Sequence, residues 1–408
     1  MEKDASVITA KVQKKYDDFN SLFSRMDEDL EVWEMQASAI NGYDADVRAK
    51  SKAHESDIIV ISDDLRIYAD NVQAILSSAE MQIMVRMAES EGENKQDDMN
   101  KLERILYFAL TKGDERLIRM LMPPLRDAVI WQGNVRGWRA ARILVYKNNG
   151  DVVFDFIPTD PRWLVYEIGS EGLLWVSYTT FRSKADLESS YKVKLEDNNE
   201  VLDYWEKEDK GGFSNSVVCN NAFLKEPEIY KIPSMPFVVM PVNTSPPITG
   251  SSESKLKGYG ESIFATTKNI NAVRNRFATI RANQANMHAN QALINYKSSM
   301  GISIPPGAFF DVPGGVVDLV KGENEIVASP LKDISPTVLE FSGWLTDQVH
   351  QGILPRLGME SPPSSGRRYA LGEETATRVF NLQLRSLNSF YTNVCQLIEE
   401  QLIAGGIK

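Results

Sequence analysis

The sequence predicts an α+β protein, with helices at both ends and short strands in the middle. Three observations carry this. Apolar residues recur at three-to-four spacing through 61–90 and again through 373–403. Near residue 135 the pattern changes to strict alternation, and an Asn-Asn-Gly separates two alternating runs, the signature of a hairpin. Residues 258–291 then run without a proline; about 34 residues of helix would span roughly 50 Å, well beyond the usual helix of a compact domain.

In chain order, residues 1–60 read as polar helices, clearest in SRMDEDLEVWEMQ, where Met26, Leu30, Trp33 and Ala37 share a face. A stronger helix follows over 61–90, with Asp63 or Asp64 as N-cap and Leu65, Tyr68, Val72, Ile75, Ala79 and Ile83 on one side. EGENKQDD at 91–98 is a charged loop. The next helix is expected to stop near Gly113, and a short one after Pro123-Pro124 is expected to end at Gly133. Residues 135–257 form the β-rich region. EGLLWVSYTTFRSKADLESSY is a strand and a short helix, VLDYWEKED is a strand by its aromatic and β-branched content, and the prolines of NNAFLKEPEIYKIPSMPFVVMPVNTSPP suit strand ends and edges.

The long helix expected over 258–292 has a thin apolar seam. Ile263, Ile270 and Phe277 are spaced by seven, as are Val273, Ile280, Met287 and Ile294. Residues 255–300 carry Lys255, Lys257, Lys268, Arg274, Arg276, Arg281 and Lys297 against Glu261 alone. Periodicity fits a solvated surface helix or a coiled-coil arm. It also fits a helix packed beside copies of itself, with a wet polar face toward an anionic polymer. Short β runs rich in Gly and Pro occupy 293–334, and Ser335-Pro336 opens a helix to about His350. Residues 353–370 read as a loop carrying Arg356, Arg367 and Arg368. The last helix places Ala376, Phe380, Leu384, Leu387, Tyr391, Val394, Ile398 and Leu402 on one stripe and stops at Gly405-Gly406.

The chain has 408 residues, enough for two or three packed regions, and a net charge of −11. Residues 1–100 hold 22 acids and 11 bases; the remainder holds 34 of each. That balance argues against tight wrapping of nucleic acid but allows a loose, sliding contact. No run of 18 apolar residues is present to span a membrane, and the N-terminus lacks the apolar core of a signal peptide. Cys219 and Cys395 are far apart in sequence and are expected as free thiols in a reducing compartment. There is no phosphate-binding GxxxxGK[ST] loop, no HExxH and no GxSxG, and the histidines are His54, His288 and His350. The expectation is a structural protein, not an enzyme, with no cofactor and no metal site.

The order of parts resembles the portal (head-to-tail connector) proteins of tailed bacteriophages. FIPTDPRWLVYEI resembles a strand with Asp-Pro-Arg found in their β region, LLWVSYTTFRSKADLESSY the strand and helix after it, IYKIPSMPFVVMPVN the strand before the stem, and GYGESIFATTKNINAVRN the start of the first stem helix. The resemblance covers most of 60–404. It implies a helical and β-rich wing over 1–257, stem helices over 258–292 and 335–352, a small β-containing clip over 293–334, a tunnel loop over 353–370, and a long wing helix over 371–408. The chain stops soon after Leu402, so the helical crown of many such proteins is expected to be absent or truncated.

The resemblance further implies a ring, usually of twelve copies, at one capsid vertex of the virion, assembled in the host cytoplasm. Double-stranded DNA would pass through it, and the terminase large subunit, a head-to-tail adaptor and the major capsid protein would dock on it. Arg356, Arg367 and Arg368 are then the candidates for contact with DNA in the channel, against the plainer reading of loop arginines paired with acids of a neighbour. Arg274, Arg276 and Arg281, with Ile263, Ile270 and Phe277, are the candidates for contacts between adjacent stems. The competing expectations are a capsid-associated scaffold or adaptor without a DNA channel, and a nucleic-acid-processing enzyme or its helical scaffold subunit.

Overall fold

The computed structural model describes residues 4–36, 58–86, 96–193, 199–242, 260–289, 293–297, 324–328, 335–353 and 366–405. The elements in chain order are α1 (Ala5–Asp18), α2 (Asn20–Trp33), α3 (Asp64–Ser78), α4 (Gln96–Arg119), α5 (Leu125–Val135), β1 (Trp138–Asn148), β2 (Asp151–Pro158), β3 (Leu164–Gly169), β4 (Gly172–Arg182), α6 (Lys184–Tyr191), β5 (Asn199–Lys207), β6 (Phe213–Cys219), β7 (Ala222–Tyr230), β8 (Phe237–Pro241), α7 (Lys268–Ala289), β9 (Leu293–Lys297), β10 (Asn324–Ala328), α8 (Pro336–Ile353) and α9 (Gly366–Ile403). The protein is thus of the α+β class. The chain divides into two compact units, one made of Met1–Gln36, Asp63–Lys268 and Gln351–Lys408, the other of Ala37–Ser62 and Asn269–His350.

The first unit is layered around β1. The three-stranded antiparallel sheet has the order β2-β1-β8, and the five-stranded antiparallel meander runs β3-β4-β5-β6-β7. The β1–β2 turn takes Asn149 and Gly150 at φ 52° and 94°, the left-handed values a two-residue hairpin turn requires. Alternation sorts the side chains of β1 into two layers. Ala141, Ile143 and Val145 join Leu106, Val129, Phe390 and Val394 in a core under α4, α5 and α9. Trp138 and Ala140 face the other way, into a core with Phe19, Phe23, Trp175, Tyr204 and Trp205. A central sheet covered on both faces explains why β1 reads WRAARILVY, apolar on both sides of the alternation.

Buried charge joins the layers. Arg142 of β1 donates to Asp203 on β5 (2.6 Å) and to Asp155 on β2 (3.1 Å). Burial opposes its charge, but the two carboxylates outweigh that and its pKa rises. The Asp-Pro-Arg at 160–162 is also a cross-link. Asp160 accepts from the Arg162 backbone N–H (3.0 Å) and from Arg136 (2.9 Å), while Arg162 donates to both oxygens of Asp27 (2.9 and 2.8 Å).

Several expected boundaries move, each for a tertiary reason. The helix expected to stop near Gly113 continues to Arg119, because Gly113 lies against the Phe156 ring where a Cβ would collide. Gly133 lies within α5, not at its end, and takes the Arg139 guanidinium against its bare Cα. The helix expected over 61–90 ends at Ser78. Beyond it, side chains of α4 satisfy the backbone: Ile83 N–H donates to the Tyr107 hydroxyl (2.7 Å) and Val85 N–H to Glu103 (2.8 Å). Residues 260–267 are not helical, so the long helix begins at Lys268 and not at 258. There Phe264 is fully buried among Val32, Leu65, Ala69 and Val135, the Ile263 N–H donates to the Asn134 carbonyl (3.0 Å), and Gly260 sits at φ 61° against Trp138.

In the second unit an extended segment, residues 58–62, lies along α7. Ile58 N–H donates to Asn283 (2.7 Å), Val60 N–H to Thr279 (3.0 Å) and Ser62 N–H to Asn275 (3.2 Å). Asn283 and Thr279 return bonds to the carbonyls of Ile58 (2.8 Å) and Val60 (3.3 Å). Positions 275, 279 and 283 are four apart, one helix face, and they meet alternate residues of an extended chain. β9 and β10 pair antiparallel, and α8 follows.

Candidate assembly interface

The sequence marked nine residues for assembly or DNA contact, and the structure separates them. Ile263 belongs to the first unit, half-buried between its two helical cores. It packs within its own chain because the segment that carries it is held by Phe264 and Asn134. The other stem candidates lie on α7. Arg274 is buried, at 8% exposure, and donates to the Ser62 hydroxyl of its own chain. The polar stripe through 275, 279 and 283 is covered by residues 58–62, so that face of α7 is not a wet surface. Asparagine and threonine there serve an extended backbone, which explains a polar composition on a face with buried Asn275 and Thr279.

Most of the exposed residues described on α7 are apolar or basic. Val273, Phe277 and Ile280 form an i, i+4, i+7 stripe, with Val273 at 42% and Ile280 at 46% exposure. Ile270 and Phe277 are half-buried, and Arg276 and Arg281 are exposed. The Phe277 ring meets Phe341 of α8 edge to face, with centroids 5.6 Å apart at 76°. Phe341 in turn stacks on Trp344, at 5.6 Å and 19°. Both α8 rings are open, Phe341 at 44% and Trp344 at 52%, whereas Leu345 and Val349 are buried. Aromatic rings that stack on each other and still expose half their surface leave an apolar area of the kind that marks a contact site.

The loop arginines divide. Arg356 lies outside the described residues. Arg367 and Arg368 fall in the first turn of α9, so the loop expected over 353–370 gives way to helix at Gly366. From there to Ile403 no proline interrupts the chain, and Arg, Leu, Ala, Glu and Gln recur, all good helix formers.

The residues that fix α9 were not among those marked. Arg139 is fully buried and donates to Gln383 (2.6 Å) and Ser386 (2.5 Å) of α9. Burial, with no carboxylate bonded to it among the described residues, pushes its pKa down to about 9, which still leaves it charged at neutral pH. Further along, the Gln401 side chain accepts from Val145 N–H (2.7 Å) and donates to the Ile143 carbonyl (2.8 Å). Polar residues thus pin α9 to β1 at two places about four turns apart. A charged residue on the apolar face of an alternating strand was the available signal for Arg139; Gln401 gave none, because a glutamine on a helix is ordinarily solvated.

The start of α7 is anchored as well. Lys268 lies 2.9 Å from both Asp29 and Glu28 of α2. Burial raises the Asp29 carboxyl pKa, and the ammonium of Lys268 offsets part of that rise. Among the described residues no group of three or more His, Cys, Asp or Glu side chains could hold a metal, and Cys219 and Cys395 are free thiols. No helix among them is long and apolar enough to cross a membrane. No protein-family model matches the chain, and no curated protein matches it significantly.

Proposed function

We propose that the chain is a structural subunit of a portal-type ring, the head-to-tail connector at one vertex of a tailed-bacteriophage capsid, through which double-stranded DNA is packaged and ejected. In this reading the second unit supplies the stem and clip, and the first unit with α9 supplies the wing. The terminase large subunit and a head-to-tail adaptor dock at the clip end, and the major capsid protein surrounds the wing. The observation that carries the reading is the exposed apolar face of the second unit. Val273 and Ile280 on α7 and Phe341 and Trp344 on α8 lie in the open on two consecutive long helices joined through a β pair. A soluble chain that leaves such a face uncovered gains most by covering it with another copy. Exposed cations on α7, Arg276 and Arg281, and an exposed acid on α8, Glu340, suit a head-to-tail contact between neighbours.

The test is the mass of the purified chain at micromolar concentration, read by mass photometry and by negative-stain imaging. Closed rings many times the mass of one chain are expected, and Phe341→Glu with Trp344→Glu should reduce them to monomers without unfolding the first unit. A wild-type chain that stays monomeric would refute the reading. A second arm separates a channel from a scaffold or adaptor without one. Arg367→Glu with Arg368→Glu should leave rings intact while impairing DNA packaging or retention; unchanged packaging would remove these arginines from the channel.

A further inference from the structure

β8 belongs to the first unit. β8 pairs only with β1 among the described strands, so its other side is an edge. The register decides which groups that edge presents. Val242 N–H donates to the Gly137 carbonyl and Ile143 N–H donates to the Pro236 carbonyl (both 2.9 Å), so Pro236, Val238, Met240 and Val242 turn their backbone toward β1. Phe237 and Val239, of the opposite parity, turn theirs outward. Pro241 closes the edge at one end: it has no N–H, and its carbonyl already accepts from Ser386 (3.3 Å).

Beside this edge is a groove of about 420 Å³. One wall is α9, through Asn393, Gln396, Leu397 and Glu400; the other is the β3–β4 turn with Lys207 and Phe213. Its volume falls within the range of sites that enclose a small ligand or a short peptide. Two kinds of bonding capacity without a partner among the described residues line it. One is the outward N–H and C=O of Phe237 and Val239. The other is Glu400, which lines the groove and whose Oε2 is buried with no hydrogen-bond partner among the described residues. A row of backbone donors and acceptors at strand spacing is complementary to another extended backbone, and a buried, unpartnered carboxylate oxygen is complementary to a cation.

We propose that this groove binds an extended segment of a partner protein, which adds as a short strand to β8 and places a lysine or arginine side chain at Glu400. The bound strand lies about 4.8 Å from β8 and exchanges backbone hydrogen bonds with Phe237 and Val239. The segment is short, since β8 spans Phe237–Pro241 and proline ends it. Lys207 and Glu171, which also line the groove, pair with each other at 3.4 Å and so neutralise one another.

The test uses the full chain and a displayed library of random peptides about seven residues long. Peptides are selected on the wild type, and each binder is then measured on two variants. Val239→Pro removes the outward N–H without touching the β1 ladder, and proline is tolerated on an edge strand. Glu400→Gln keeps the shape of the side chain and removes its charge. The expected result is a set of binders enriched in a single Lys or Arg. Each should bind about tenfold more weakly to Val239→Pro, and the basic ones more weakly to Glu400→Gln as well. Amide exchange at Phe237 and Val239 should be fast in the free chain and slow with peptide bound. A selection that yields no binder sensitive to Val239→Pro would overturn the proposal. So would slow exchange of both amides in the free chain, which would mean that the edge is already covered. Assembly of the chain that is lost in Val239→Pro would assign the groove to a second copy instead.

Discussion

Thr279 is where the docking of residues 58–62 on α7 can be measured directly. The side chain is buried, at 3% exposure, and its hydroxyl both accepts from Val60 N–H (3.0 Å) and donates to the Val60 carbonyl (3.3 Å). Thr279→Val keeps the branching at Cβ, so helix propensity changes little. What it removes is the partner of a backbone amide and carbonyl that are partly shielded from water. Leaving a buried polar group unsatisfied costs about 1–3 kcal/mol. Asn275 and Asn283 still hold Ser62 and Ile58, so the cost is confined to local opening and does not reach global unfolding. The Val60 amide should therefore exchange about 5- to 150-fold faster in the variant, at a pH where reclosing outruns chemical exchange. Asn283→Ala, at the rim beside the 43%-exposed Ile58, should cost less, under about 1 kcal/mol. Unchanged exchange at Val60 in Thr279→Val would refute the ladder as the force that docks this segment.

Three further outcomes follow from buried groups of the first unit. Arg139→Met should destabilise by about 1–3 kcal/mol, because it strands the Gln383 side-chain oxygen and leaves the Ser386 hydroxyl with only its bond to the Pro241 carbonyl, and adding Gln383→Leu should recover most of that; losses that simply add would show that the two residues do not act as a unit. Gly260→Ala should cost more than about 1 kcal/mol, since φ is 61° and the new Cβ would fall on the Trp138 indole; an unchanged urea midpoint would refute that close approach. Burial raises the Asp114 carboxyl above its ordinary 3.8, with the Leu125 N–H opposing and Asp127 adding to the rise. The native state therefore holds this proton to higher pH than the unfolded chain does, and the contribution to stability falls as pH rises from about 3.8 through the folded value. Asp114→Asn keeps an acceptor for Leu125 and does not titrate, so its urea midpoint should gain on wild type across that window and level off above it; a gap independent of pH would contradict the sign.

Sequence alone determined the class, the helical ends and β-rich middle, the 148–150 hairpin and the α9 stripe of Leu387, Tyr391, Val394 and Ile398, all buried; it did not mark the strand Phe213–Cys219, and it read residues 58–60 as helical where they are extended. These are local properties, set by periodicity, turn chemistry and the absence of proline, and a linear chain carries them openly. Tertiary structure decided what the polar positions do. Asn275, Thr279 and Asn283 read as a solvated face and instead satisfy an extended backbone more than two hundred residues earlier in the chain. Residues 260–267 read as helix, yet burial of Phe264 and the Gly260–Trp138 contact hold them in another conformation. Gly113 and Gly133 read as stops and are close-packing sites inside helices. Except at Gly133, whose partner Arg139 is six residues on, the deciding partner is remote in sequence, and a contact formed only on folding outweighs a preference of a few tenths of a kcal/mol per residue (~0.5) that the local chain expresses.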